Sequence, residues 1–136
     1  MTKKILDELT YKIIGAAIKV HKSLGAGLLE SVYHKCLANE LNTQNIAFES
    51  EFLVPIHYND IILDANLRCD FLVEKCIVLE LKSVEEIKPI FKAQLITYMK
   101  LLNAPKGVLI NFNCTNLFSN GQTTYVNELF RFLPEE

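Results

Sequence analysis

Apolar positions recur at intervals of three and four from Leu6 through Leu9, Ile13, Ala16, Ala17 and Val20 to Leu24, the stripe of an amphipathic helix. Gly25-Ala26-Gly27 stops that helix, and a second stripe of Leu28, Leu29, Val32, Tyr33, Cys36, Leu37 and Leu41 runs into the polar stretch Asn42 to Asn45. Two helices joined by a glycine corner are predicted. From Ile46 the texture becomes strand-like: Ala47 to Tyr58, a turn at Asn59-Asp60, Ile61 to Val73, then Ile77 to Ser83, an antiparallel meander. Pro89 opens a helical stripe of Ile90, Phe91, Leu95, Ile96, Met99 and Leu102, ended by Asn103-Ala104-Pro105, and this helix is expected to cross back over the sheet. Gly107 to Phe112 reads as a buried strand, and Thr123 to Phe132 as a final edge strand after the turn signal Ser119-Asn120-Gly121. The predicted order is ααβββαββ, with no internal repeat.

The 136 residues suit a single domain spanning 1–136, and 50% hydrophobic with 22% charged residues exclude a disordered or low-complexity chain. No apolar run reaches the roughly 20 residues of a membrane helix, and the start MTKKILDELTYK lacks a signal-peptide core, so a soluble cytoplasmic protein is expected. The 14 Lys+Arg against 16 Asp+Glu leave a formal charge of -2, which argues against holding polyanions by bulk charge. It leaves open a site where a divalent cation bridges carboxylates to phosphate. Cys36, Cys69, Cys76 and Cys114 form no CxxC and read as reduced structural thiols, not a zinc site.

The candidate chemistry sits in the apolar segment Arg68 to Ser83. Glu80 and Lys82, two apart on a predicted strand, project from one face among Val78, Leu79 and Leu81. Charges there cost several kcal/mol, by order of magnitude, unless paired, metal-bound or at the strand's exposed end. Whether Asp70 joins them depends on the intervening turn. A two-residue loop at Glu74-Lys75 pairs Val73 with Cys76 and sends Asp70 and Glu80 to opposite faces. A three-residue loop, or one bulge, pairs Val73 with Ile77 and sets Asp70 opposite Glu80, uniting two carboxylates and Lys82. Two such carboxylates need a proton or a cation between them, and hard oxygen ligands suit Mg²⁺ or Mn²⁺. Lys82 would then orient water and stabilise charge developing on a phosphoryl group. The plainer alternative is a Glu80–Lys82 salt bridge at a strand end, with Asp70 a turn residue.

The chain resembles the family named for its GxxExxY motif, a branch of the PD-(D/E)XK nuclease-like superfamily. The motif stands as Gly27-Leu28-Leu29-Glu30-Ser31-Val32-Tyr33, preceded by Val20-His21-Lys22-Ser23-Leu24-Gly25-Ala26. Asp70-Phe71-Leu72-Val73 and Val78-Leu79-Glu80-Leu81-Lys82-Ser83 match the acid strand and the ExK strand; Ala93-Gln94-Leu95 with Tyr98, and Gly107 through Asn111-Phe112, match the later helix and strand. The likeness runs from about Leu9 to Phe132. It implies a restriction-endonuclease-like αβββαβ core with a mixed central sheet and an extra N-terminal helix. It implies a nuclease, endo- or exonucleolytic, acting on nucleic acid, DNA foremost, with Asp70, Glu80 and Lys82 catalytic. One or two Mg²⁺ or Mn²⁺ ions would be held by Asp70 and Glu80, with Glu30 as an extra acid. Gln94 and Tyr98 look like the QxxxY element near the active site and DNA in one group of these nucleases. Two positions depart from the pattern: Cys69 replaces the proline before Asp70, and Phe91-Lys92 stand where relatives commonly have His-Glu.

Other positions keep two readings. Gly25 and Gly27 either turn one helix into the next or cradle a phosphate. His21 suits the negative end of its helix dipole, and His34 and His57 carry no readable signal. Tyr33 is a candidate to pack its ring in the core and hydrogen-bond a site carboxylate. Lys88, Lys92, Lys100 and Lys106 form either a solvated face or a phosphate-backbone contact. The strand near Tyr125 to Phe132 is either an edge for a homodimer or covered by the first helix. The alternatives to nuclease activity are an inactive nuclease-like fold serving as a binding or scaffold module, and a hydrolase of another phosphate ester.

Overall fold

Thr2 caps the first helix, its Oγ1 accepting from Ile5 N at 3.1 Å, and α1 then spans Lys3–Leu24. The computed structural model describes residues 1–136. Gly25 and Gly27 take φ of 74° and 96°, left-handed values that favour glycine, and they turn the chain into α2, Glu30–Thr43.

The meander is more divided than its apolar runs suggest. Strand β1 covers Phe48–Leu53 and stops before Pro55, which has no N–H for a ladder. Next comes a separate two-stranded ribbon, β2 Ile56–Tyr58 and β3 Ile61–Leu63, closed by the Asn59-Asp60 turn. Asp64 Oδ1 then accepts from Asn66 N at 2.9 Å and bends the chain into β4, Arg68–Val73. After β5, Ile77–Lys82, helix α3 runs Pro89–Leu101 with Pro89 in its first turn, followed by β6, Lys106–Asn111. The predicted last strand is also cut short. Strand β7 covers Gln122–Val126, and Asn127 Oδ1 accepts from Leu129 N to start the short helix α4, Glu128–Arg131. The expected turn at Ser119-Asn120-Gly121 is the end of a π-helical turn, Leu117–Gly121.

The sheet order is β1-β4-β5-β6-β7, with β5 and β6 parallel and the other pairs antiparallel, so the central sheet is mixed. From α2 to β6 this is the expected αβββαβ core, with α1 as the extra helix and the β2–β3 ribbon inserted between its first two strands. Alternation along β5 divides the interior in two. Ile77, Leu79 and Leu81 pack with Ile13 of α1 and Leu37 of α2, while Val78 packs with Leu95 and Met99 of α3. Burying each such side chain contributes roughly 1.5–3 kcal/mol. The same alternation carries Glu80 and Lys82 to the α3 side.

Candidate active site

The β4–β5 hairpin adopts the register that unites the charges. Glu74 and Lys75 both take positive φ, 50° and 60°, and Cys76 N donates to Val73 O at 3.0 Å. Cys76 is the extra residue, and pairing resumes as Val73↔Ile77, Leu72↔Val78 and Phe71↔Leu79. Glu74 is tied in turn to Ala47, its N–H donating to Ala47 O and its Oε1 accepting from Ala47 N, both at 2.9 Å. These bonds offset the backbone strain of the turn. By this count Asp70 stands opposite Glu80.

The paired ladder ends at Phe71↔Leu79, and the Asp70 side chain takes the next donor: its Oδ2 accepts from Leu81 N at 2.7 Å. The carboxylate therefore sits in the gap where β4 leaves β5. Glu80 is only 5% exposed, and its Oε1 has no hydrogen-bond partner. Burial foremost, and the charge of Asp70 next, push the Glu80 carboxyl up to about 9, while the Lys82 ammonium pulls the other way. Tyr98, buried on α3, has its hydroxyl pushed up by burial and then by Glu80, and it accepts from Gln94 Nε2 at 3.0 Å. The Cys69 thiol, at the position of the missing proline, is pushed up to about 12 by burial and then by Glu80, so it is an inert thiol. All four cysteines are free.

Lys82 forms no ion pair; its Nζ lies 4.5 Å from the centroid of the Phe91 ring. The Glu80–Lys82 salt bridge of the plainer reading is absent. Glu80 feels the charges of both Asp70 and Lys82, and the Tyr98 hydroxyl, bonded to Gln94, feels Glu80. Glu30 is exposed at the start of α2 and shares with Asp70 an open cavity of about 340 Å³, also lined by His34, Lys35, Ser50 and Glu51. No set of three or more His, Cys, Asp or Glu side chains is gathered closely enough to hold a metal ion, so Glu30 does not close a ligand triad with Asp70 and Glu80.

Tyr33 does not touch a site carboxylate. Its hydroxyl donates to Gly25 O at 2.6 Å and accepts from Leu28 N at 3.2 Å, while its ring stacks on Phe112 with centroids 4.3 Å apart. It clamps the glycine corner, as does Ser83, whose Oγ donates to Leu28 O at 2.6 Å. Tyr33→Phe leaves Gly25 O and Leu28 N without this partner and is expected to cost about 1–3 kcal/mol, read as a lower urea midpoint with unchanged slope. An unchanged midpoint would show that the clamp is dispensable.

Two positions escaped the sequence reading. His34 stacks on Phe71, centroids 4.2 Å apart, and its Nε2 lies 2.6 Å from Ser50 Oγ on the wall of the Asp70 cavity. Its spacing of four from Glu30 on α2 was the available signal. The sequence places Asn111 only within a strand; its side chain exchanges hydrogen bonds with the Val84 backbone at 2.9 and 3.1 Å, holding the segment just after Lys82. Lys106 is withdrawn from the lysine face, because its Nζ is buried 2.6 Å from Asp7 Oδ1. His21 is also engaged internally, its Nε2 2.9 Å from Cys114 O.

Helices on both faces of a mixed sheet, with an acid on one central strand and a Glu-x-Lys pair on the next where their ladder opens, define a nuclease-like α/β architecture. The model of the PD-(D/E)XK nuclease superfamily matches residues 7–123, and the chain belongs to that superfamily, with a restriction-endonuclease-like fold. Members of this superfamily are usually nucleases and generally use divalent metals. No curated protein and no solved structure matches the chain. No helix is long and apolar enough to cross a membrane.

Proposed function

We propose that this protein is a divalent-metal-dependent nuclease of the GxxExxY branch that hydrolyses phosphodiester bonds in DNA, with Asp70, Glu80 and Lys82 as its catalytic residues. One observation carries the reading: a buried Glu80 oxygen without a partner beside a second carboxylate held in the opening between two strands. Such a pair calls for a proton or a cation, and Mg²⁺ in phosphoryl-transfer sites is commonly held by one or two carboxylates, with waters and substrate phosphates completing its shell. Asp70 and Glu80 would hold the ion, and Glu30 on α2 lines a cavity that it shares with Asp70. When bound, Mg²⁺ or Mn²⁺ supplies Lewis-acid stabilisation of the phosphoryl group.

The chain's own residues do the rest. The Leu81 N–H fixes the orientation of Asp70. Glu80 would serve as a ligand in its ionised form. The Lys82 ammonium, bound to no carboxylate, is free to orient the attacking water and to stabilise charge growing on the phosphate oxygens. Gln94, hydrogen-bonded to Tyr98, and the exposed Lys88, Lys92 and Lys100 would meet the DNA. Four free thiols accord with work in the reducing cytoplasm.

The test is cleavage of single-stranded, duplex and branched DNA and RNA with Mg²⁺ or Mn²⁺, run beside Glu80→Ala. Metal-dependent cutting of DNA by the wild type, lost in the variant, is expected. Metal-dependent hydrolysis of nucleotides alone would move the protein to another phosphate ester. A wild type that neither binds metal nor cuts any member of the panel would favour the scaffold alternative.

A further inference from the structure

The least expected contact at the site is the aromatic ring beside Lys82. Phe91 stands in the first turn of α3, half-buried against the core on that side of the sheet, and its ring centroid lies 4.5 Å from Lys82 Nζ. The ammonium has no carboxylate partner, although it acts electrostatically on Glu80, which also feels the charge of Asp70. The flexible four-carbon stem of a lysine leaves its ammonium free to reach a neighbouring carboxylate. Lys82 rests on the face of an aromatic ring, where the quadrupole attracts a cation without neutralising either acid.

We infer that Phe91 is a positioning residue: it holds the Lys82 ammonium away from Asp70 and Glu80, keeping both carboxylates available to a divalent cation and the ammonium available to the substrate phosphate. This inference rests on the metal-dependent reading of the site. With the ring removed, Lys82 swings to the carboxylates and competes with the metal for them. The loss is thus a loss of metal affinity, visible without any substrate.

The experiment is Mn²⁺ titration by calorimetry of the wild type, Phe91→Leu, Phe91→Tyr and the double variant Phe91→Leu/Lys82→Met. The expected result is Mn²⁺ binding weakened about threefold to tenfold in Phe91→Leu. Phe91→Tyr, which keeps the ring, should stay near wild type, and the double variant should recover the affinity because the competing ammonium is gone. Equal affinity in wild type and Phe91→Leu overturns the inference, as does a double variant no tighter than Phe91→Leu. A second readout is independent of metal: the Lys82 ε-methylene protons should lie upfield of those of other lysines through the ring current, and lose that shift in Phe91→Leu. If the wild type binds no Mn²⁺ yet shows the ring-current shift, the metal-dependent reading fails and the inference falls with it, while the Lys82–Phe91 contact stands. If Mn²⁺ binds but the shift is absent, the inference alone fails.

Discussion

Lys82→Ala is expected to lower metal-dependent cleavage by about 10²–10³-fold, the usual cost of removing one group that stabilises transition-state charge. The fold should barely notice. Lys82 is in none of the three salt bridges, and its contact with the Phe91 ring is worth about 1 kcal/mol or less at a partly exposed position. The melting temperature should therefore move by only a few degrees. Single-turnover cleavage at saturating Mn²⁺ measures the first effect, and a thermal scan the second. A rate within threefold of wild type would remove Lys82 from the chemistry. A collapse of the melting temperature would assign it a structural role that its lack of ion-pair partners does not suggest.

Glu80→Gln is expected to remove a fall in stability with rising pH. The Glu80 carboxyl is pushed from its ordinary 4.5 up to about 9, by burial first and by Asp70 second. Between these limits the folded chain holds a proton on Glu80 that the unfolded chain has released, so the contribution of Glu80 to stability is full below about pH 4.5 and is lost as pH rises toward 9. Glutamine is always neutral and escapes that fall. At pH 8 the variant should be more stable by at least about 1 kcal/mol, and the gap should close near pH 4. Urea midpoints across that range measure it, and parallel curves for the two proteins would show that Glu80 ionises as freely folded as unfolded. Mg²⁺ needs the ionised carboxylate, so it should raise the wild-type midpoint more at pH 8 than at pH 5 and do little for Glu80→Gln.

Much of this was legible along the chain. The three-and-four stripe of α1, the glycine corner, the Pro89 start of α3 and the apolar strand β6 follow from side-chain periodicity and backbone preference, which are local properties. Boundaries failed where a short-range device interrupts an apolar run. Pro55 and the Asp64–Asn66 bend split the meander, and the Asn127 cap ends the last strand at Val126. Continuous hydrophobicity conceals such breaks, because the detached β2–β3 ribbon keeps Ile61 and Ile62 although both are more than half exposed.

The candidate site shows the division most clearly. Glu80 and Lys82 share a face by the two-residue period of a strand, so their partnership was determined by the sequence alone. Asp70 was not: the same residues admit two hairpin registers, one residue apart, that send it to opposite faces. The anchoring of Glu74 to Ala47, just before β1, accompanies the register with Cys76 as the extra residue, and Asp70 replaces a backbone acceptor for Leu81 N. Likewise, only packing decided that Tyr33 clamps a corner instead of meeting a carboxylate, that Lys106 is buried against Asp7, and that Lys82 rests on Phe91. Periodicity determines which residues share a face of one element; which residues of two elements meet depends on register and on what burial leaves unpaired, and those are properties of the folded chain.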